Sequence, residues 1–365
     1  MNELIANRYQ FNRQADILGR GGMGTVYLGY DNQSQQVVAI KQLNPELVSH
    51  YSDSLKRFIR EAKVLKDLEH PHIIPIIEAV SDVELGHYIV MAYIEGGTLW
   101  DEMQAYPQMP IHRAIDLAKN LASALILVHQ NNLIHRDIKP ANVLINTHKS
   151  PILSDFGVVH LQSDTQITET GTLVGTLDYL SPEMLNGETI TSKADIWAFG
   201  VMLYEMITGK RPFLGDNPSA LITSILTKPM IDIISLPPDV PQSLIRLIEW
   251  MLVKEPAHRA GTMEIVLQGL QDISSGQTTL NIPDIRQSQL KRIGSLPKVF
   301  SEVHFYNREG HLAAINNFIT EGKPFIGVYG RGGIGKTALV CKAMDVCEKN
   351  MDMNGVAYLR TNSTP

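Results

Sequence analysis

The chain has 365 residues, 44% of them hydrophobic and 19% charged, which is more than one ordinary hydrophobic core needs. Its 32 Lys and Arg stand against 38 Asp and Glu for a formal net charge of -6, so there is no basic excess to attract nucleic acid. The opening "MNELIANRYQ" has no basic segment followed by an apolar one, and the longest apolar run, "LASALILVH", is half a membrane span, so a cytoplasmic chain without membrane partners is expected.

Strand-like runs come first: "YQFNRQADIL", then a glycine loop, "TVYLGYD" and "QVVAIKQL". A helix is predicted over "SLKRFIREAKVLKDL", with Phe58, Ala62, Leu65 and Leu68 on one apolar face. Strands around "IIPIIEAV" and "HYIVMAYI" complete a small strand-rich lobe. After "EGGTL" the pattern turns helical, in "IHRAIDLAKNLASALILVHQNN", "SKADIWAFGVMLYEMITG" and "SLIRLIEWMLV". The stretch "SSGQTTLNIPDIRQSQLKRIGSLP" is polar, carries scattered Ser, Gln and Pro, and reads as a linker. Beyond it "KPFIGVYG" reads as a strand, "RGGIGKT" as a loop, "ALVCKAMDVCEKN" as a helix and "GVAYLR" as another strand. The two cysteines, Cys341 and Cys347, fall on different faces of that helix, which suits a reduced compartment better than a metal site.

Gly19, Gly21, Gly24 and Val26 form a G-x-G-x-x-G-x-V turn between two strands, where backbone amides can approach phosphate oxygens with no side chain between. Alone this is weak, but "VVAIK", "HRDIKPAN", "DFG" and "SPE" follow in that order. From about Arg8 to Leu270 the set resembles the bacterial serine/threonine protein kinases of eukaryotic type. The resemblance implies an α+β, two-lobed protein kinase fold over 8–272; the polar stretch after it is read as a linker over 273–298, and 299–365 as a partial α/β P-loop segment, the truncated beginning of a further domain.

Phosphoryl transfer asks a protein to align two oxygens and neutralise charge. Lys41 can reach the α- and β-phosphates of ATP, partnered by Glu61. Asp137 can accept the hydroxyl proton, Lys139 steady the γ-phosphate, and Asn142 and Asp155 offer hard oxygens to Mg2+. Leu18, Gly19, Gly21, Gly22, Gly24, Val26, Ala39, Met91 and Tyr93 complete the nucleotide pocket that the resemblance implies. His135 is read as a brace. Arg136, beside Asp137, gives a phosphate on the activation segment something to bind, and Thr168, Thr170 and Thr172 are the positions to carry it by autophosphorylation, with self-association a means to that end. Glu183 is expected to pair with Arg259 and Asp195 to hold the catalytic-loop backbone. "GTLDYLSPE" resembles a peptide-docking segment, which disfavours a small-molecule kinase and points to protein substrates carrying Ser or Thr. An ATP-binding scaffold without transfer is disfavoured because Lys41, Asp137, Asn142 and Asp155 are all intact.

Gly330, Gly335, Lys336 and Thr337 fit G-x-x-x-x-G-K-[ST], a loop that surrounds phosphates and ends at a helix N-terminus. With "FYNREGHLAAINNFI" before it, the segment resembles the entry of signal-transduction P-loop ATPases. No acidic strand end follows "GVAYLR", so hydrolysis is not expected there.

Overall fold

The computed structural model describes residues 2–21, 24–44, 62, 64–82, 86–106, 108–156, 177–228 and 240–277, with 310, 313, 314 and 317. The chain divides into two compact units, Met1–Ile282 and Pro283–Pro365. In the second, Gly310, Ala313, Ala314 and Asn317 are helical and all four are exposed; Gly330, Gly335, Lys336, Thr337 and both cysteines lie outside the described residues.

The first unit begins with a seven-stranded antiparallel sheet. Strands β1 (Asn2–Ile5), β2 (Tyr9–Asn12), β4 (Gly24–Asp31), β5 (Gln36–Leu43), β7 (Gly86–Ala92) and β6 (Ile76–Asp82) lie in that order, with β3 (Ile17–Gly21) paired to β4. The predicted single strand "YQFNRQADIL" is in fact two, β2 and β3. Asn12 ends the first by accepting from the backbone N–H groups of Gln14 and Ala15, a side-chain turn that competes with the ladder. A hairpin at Ala6 and Asn7, both in the left-handed region, adds β1, which the sequence pattern did not reveal.

Successive residues of β5 point to opposite faces. Val38 and Ile40 join Tyr9, Phe11, Tyr27, Tyr88 and Val90 in one cluster, while Ala39 and Leu43 belong to the main core. Lys41 shares the face of Ala39. The register pairs Val26 with Lys41 and Lys41 with Ile89, and Ala39 with Met91, so Val26, Ala39, Lys41 and Met91 stand on one face of the sheet.

Helices build the rest: α1 (Leu99–Ala105), α2 (Ile111–Gln130), α3 (Pro182–Leu185), α4 (Lys193–Thr208), α5 (Pro218–Thr227), α6 (Gln242–Met251) and α7 (Met263–Ser274). A capping box between Thr98 and Asp101 starts α1. Every residue of α4 from Ala194 to Thr208 is buried, so it is a central strut rather than an amphipathic surface helix, and Gly209 ends it in the left-handed conformation. A small sheet, β10 (Pro151–Leu153), β9 (Val143–Asn146) and β8 (Gly96–Thr98), lies between α1 and the helical core. The helix predicted around Glu61 is described only at Ala62 and Val64–Lys66, with Ala62 and Leu65 buried as its spacing requires. Among the described residues no helix is long and apolar enough to cross a membrane.

Candidate active site

The glycine turn is set by its own backbone at one position. Gly24 has φ +150°, and a Cβ there would come within 1.9 Å of the Gln42 carbonyl oxygen, so only glycine fits. Gly19 and Gly21 meet nothing within 4 Å, so the space above them is open. Leu18 beside them is exposed, as is Tyr93 after β7. Gly22 lies outside the described residues.

Lys41 is only 6% exposed, which rules out a solvated strand lysine. Its Nζ donates to Asp155 Oδ1 at 2.6 Å, a pair that spans 114 residues. Burial raises the Asp155 carboxyl, and the charge and hydrogen bond of Lys41 more than offset it, with His135 and Lys139 adding to the pull, so the group titrates below its ordinary value. Glu61, the partner expected for Lys41, lies outside the described residues. Asp155 itself is held at φ +60°, an unusual conformation for a side chain other than glycine.

Between α2 and β9 the chain makes a buried loop around Asp137. Lys139 Nζ donates to Asp137 Oδ2 at 2.8 Å, and Asn142 Nδ2 donates to the same oxygen at 2.8 Å and to the Asp137 carbonyl at 2.7 Å. With its amide nitrogen committed, Asn142 has its side-chain oxygen left as a ligand end. Ser154, which precedes Asp155, donates through both its N–H and its hydroxyl to the Asn142 carbonyl, each at 2.9 Å. That double bond ties the Asp137 loop to the strand that delivers Asp155, and it brings Lys41, Asp137, Lys139, Asn142 and Asp155 into one cleft. Oxygens on two residues, to be completed by phosphate, are the donor set Mg2+ favours; no group of three or more His, Cys, Asp or Glu that could hold a metal occurs among the described residues.

The loop is braced from behind. His135 is fully buried, and its Nε2 faces the Ser154 carbonyl at 2.9 Å, so that nitrogen carries the hydrogen while Nδ1 accepts from the Asp137 N–H at 3.3 Å. Burial lowers its basicity, and it packs on Phe156 at 4.6 Å between centroids. Asp195, at the start of α4, is also fully buried and accepts from the N–H groups of His135 and Arg136 and from His129 Nε2, each at 2.8 Å. Arg136 sits at φ +66°, a conformation those bonds enforce. Glu183 and Arg259 form a two-pronged pair at 2.7 and 2.8 Å, with Arg259 also donating to the carbonyls of Val253, Lys193 and Lys254. Sequence reading missed His129 and Ser154; a histidine interrupting the apolar face of α2 was the available signal for the first, and none marked the second. Thr168, Thr170 and Thr172 lie outside the described residues.

A strand-rich lobe carrying one buried lysine meets a helical lobe carrying an Asp–Lys–Asn loop and a second aspartate, a two-lobed fold with its charged residues gathered at one cleft. Residues 12–269 match the family described as "Protein kinase domain", and the chain belongs to that family. Over 260 residues it is 36% identical to "Serine/threonine-protein kinase PrkC" of Bacillus subtilis (strain 168), covering 71% of this chain and 39% of the relative. It is 34% identical over 265 residues to "Probable serine/threonine-protein kinase PknB" of Lactococcus lactis subsp. lactis (strain IL1403), covering 72% and 42% respectively. With "Serine/threonine-protein kinase PknB" of Mycobacterium leprae (strain TN) the identity is 34% over 277 residues, covering 75% and 44%. The alignments thus span well under half the length of these relatives.

Proposed function

We propose that this protein is a serine/threonine protein kinase that transfers the γ-phosphoryl group of ATP to Ser or Thr hydroxyls of other proteins and acts in signalling. The observation that carries the reading is the Asp137 carboxylate, held by Lys139 and Asn142 and tied through Ser154 to Asp155 and so to Lys41. Asp137 orients a substrate hydroxyl and takes up its proton as the oxygen–phosphorus bond forms. Lys139, three-pronged and already beside Asp137, follows the transferred phosphoryl group, while Lys41 holds the oxygens that stay on the nucleotide. Asn142 and Asp155 would hold Mg2+, which supplies charge neutralisation for the triphosphate. Glu61 is assigned as the partner that Lys41 takes in the transfer-ready state. The names of the relatives support the Ser/Thr assignment.

The reading extends to Thr168, Thr170 and Thr172 as autophosphorylation sites gathered by Arg136, with self-association of two chains as the route, and to a cytoplasmic location. It also assigns 8–272 to the kinase domain, 273–298 to a linker and 299–365 to the start of a P-loop signalling domain, with Gly330, Gly335, Lys336 and Thr337 as a second nucleotide site.

The test is labelled phosphate transfer from ATP by the purified chain beside Asp137→Asn and Lys336→Ala. Loss of about 10²-fold or more in the first variant alone is expected. Equal labelling in all three would overturn the assignment of Asp137, and labelling lost only in Lys336→Ala would place the chemistry in the second unit. Site mapping of the labelled chain should find phosphate on the 157–176 segment.

A further inference from the structure

Asn142 and Asp155, the two residues assigned to Mg2+, stand at one end of a short hairpin. Asn142 comes immediately before β9 and Asp155 two residues after the end of β10, and the register that pairs Val143 with Leu153 leaves Asn142 opposite Ser154. A ladder carried one rung further would exchange two backbone bonds between these residues. Only one is made. The Ser154 N–H donates to the Asn142 carbonyl at 2.9 Å, whereas the Asn142 N–H turns back to the Lys139 carbonyl at 3.0 Å, closing the turn Pro140–Asn142. The Ser154 hydroxyl supplies the second bond, donating to that same Asn142 carbonyl at 2.9 Å.

What flanks this rung gives it a chemical consequence. Asn142 is gripped at its other end by the two bonds from Nδ2 to Asp137, so its side-chain oxygen is aimed by one grip on the amide and one on the backbone. On the other strand, Ser154 is followed directly by Asp155 at φ +60°, a conformation that a residue other than glycine keeps only while its neighbours are held. Ser154 is held on a third side as well, because its carbonyl accepts from His135 Nε2 at 2.9 Å. The last rung of a three- or four-residue ladder frays when one bond alone closes it. With the buried hydroxyl added, the segments that carry Asn142 and Asp155 move as one piece.

We infer that Ser154 is a positioning residue whose hydroxyl fixes Asn142 and Asp155 relative to one another and so sets the affinity of the cleft for its divalent cation. The inference rests on the protein-kinase reading above and adds to it a residue that acts through the two metal ligands, not on the reacting atoms. Removing the hydroxyl alone separates this role from a structural one. In Ser154→Ala the Asn142 carbonyl keeps the backbone N–H of position 154, so no buried polar group is orphaned and the fold is retained. A hydroxyl that served the fold alone would change melting and leave metal affinity as it was.

The experiment uses the full chain carrying Lys336→Ala, which takes the second proposed nucleotide site out of the readout, and compares Ser154, Ser154→Ala and Ser154→Thr in that background. The probe is Mn2+, followed by loss of its free paramagnetic resonance signal, with the chain in excess over an ATP analogue bridged by nitrogen between the β- and γ-phosphates. A fluorescent nucleotide titrated in chelator reads nucleotide affinity without metal, and phosphate transfer is followed against Mg2+ concentration. Ser154→Ala is expected to weaken Mn2+ binding about three- to tenfold, the worth of one hydrogen bond, and to raise the Mg2+ needed for half-maximal transfer by the same factor. Metal-free nucleotide binding should stay within about twofold and melting within about 4 °C. Ser154→Thr, which keeps the hydroxyl, should return both metal readouts to the parent values. Unchanged Mn2+ affinity in Ser154→Ala overturns the inference. So do a loss shared equally by metal-free nucleotide, a loss that folded Ser154→Thr fails to restore, and a Ser154→Ala chain that does not fold. A parent chain that binds Mn2+ and nucleotide but transfers nothing counts against the kinase reading alone, and metal affinity still decides this one.

Discussion

Asp195 offers the sharpest test of how the fold holds its chemistry. Asp195→Asn keeps the shape and replaces one oxygen by an NH2 group. Oδ2 serves two donors and Oδ1 serves one, so the least costly orientation puts the NH2 against the Arg136 N–H. That orphans one buried donor, at about 1–3 kcal/mol, and turns two charge-assisted bonds into neutral ones, at about 1 kcal/mol each. The sum, about 3–5 kcal/mol, is a large part of the 5–15 kcal/mol typical of a domain and corresponds to about 6–20 °C in melting temperature at this size. With its anchor gone, Arg136 is free to leave φ +66°, and Asp137 moves with it; a misplacement of about 1 Å is enough to lower turnover about 10²-fold. Thermal unfolding by circular dichroism, with phosphate transfer measured far below the transition, separates the two effects. A melting temperature within 2 °C of wild type would refute the energetic reasoning, and undiminished turnover in a destabilised variant would refute the positioning role. The pH dependence has a definite sign. Burial raises the Asp195 carboxyl, but His129, His135 and the Arg136 N–H hold it below its ordinary value. Its stabilisation is therefore complete above the ordinary carboxylate range and lost as pH falls through the lower folded value, so acid should destabilise wild type more steeply than Asp195→Asn.

Lys41→Met should lower transfer by about 10²–10³-fold with little change in melting, because Asp155 is left with one side open to the cleft; a loss of transfer explained entirely by unfolding would refute this. For Glu183 and Arg259, either single change to Met should cost about 3–5 kcal/mol while the double change recovers a good part of it; additive losses in chemical denaturation would show that the charges do not depend on one another. Lys254 has its amine 3.5 Å from the centroid of the Phe213 ring and 4.9 Å from that of Trp197, and burial, with the charge of Arg259, pushes its pKa down to about 6. A folded value below the unfolded one means that stability rises with pH between about 6 and the ordinary lysine value. The rings favour the ammonium by about 1–2 kcal/mol and offset part of the burial cost. Lys254→Met should therefore raise stability at pH 7 by about 2 kcal/mol and flatten that slope; a destabilised variant would show that the ring contact outweighs burial.

Motif spacing and period carried much of the site. "VVAIK" reads as a strand because apolar residues run to its end, and the structure puts Lys41 on the face of Ala39, opposite Val38 and Ile40. Asp137, Lys139 and Asn142 are close in sequence and fall into one hydrogen-bonded loop. What local pattern does not carry is pairing at long range. Nothing near Lys41 announces Asp155, because which lysine meets which carboxylate is decided by how sheets and helices pack. The three- and four-residue strands β8 to β10 escaped for a related reason: they are too short to show a period and are held by tertiary context. β1 was missed because its hairpin turn is Ala6–Asn7 rather than a glycine-bearing pair.

The cleft is balanced from within. Lys41 is matched by Asp155 and Lys139 by Asp137, two cations against two carboxylates, and this is what lets a lysine sit 6% exposed on an apolar sheet face. A nucleotide triphosphate carries about four negative charges, and its metal two positive ones. For Lys41 and Lys139 to turn toward phosphate, Asp155 and Asp137 must give up their present partners. Asp155 then stands uncompensated in a partly desolvated site unless a cation takes the place of the ammonium, while Asp137 keeps the Asn142 amide and gains the substrate hydroxyl. On the proposed kinase reading, the exchange would make affinity for nucleotide and affinity for metal two faces of one equilibrium, and by linkage each would strengthen the other by the same factor. It would also separate the two aspartates by role: the one paired to the sheet lysine relieved by a metal, and the one paired within its own loop relieved by a proton.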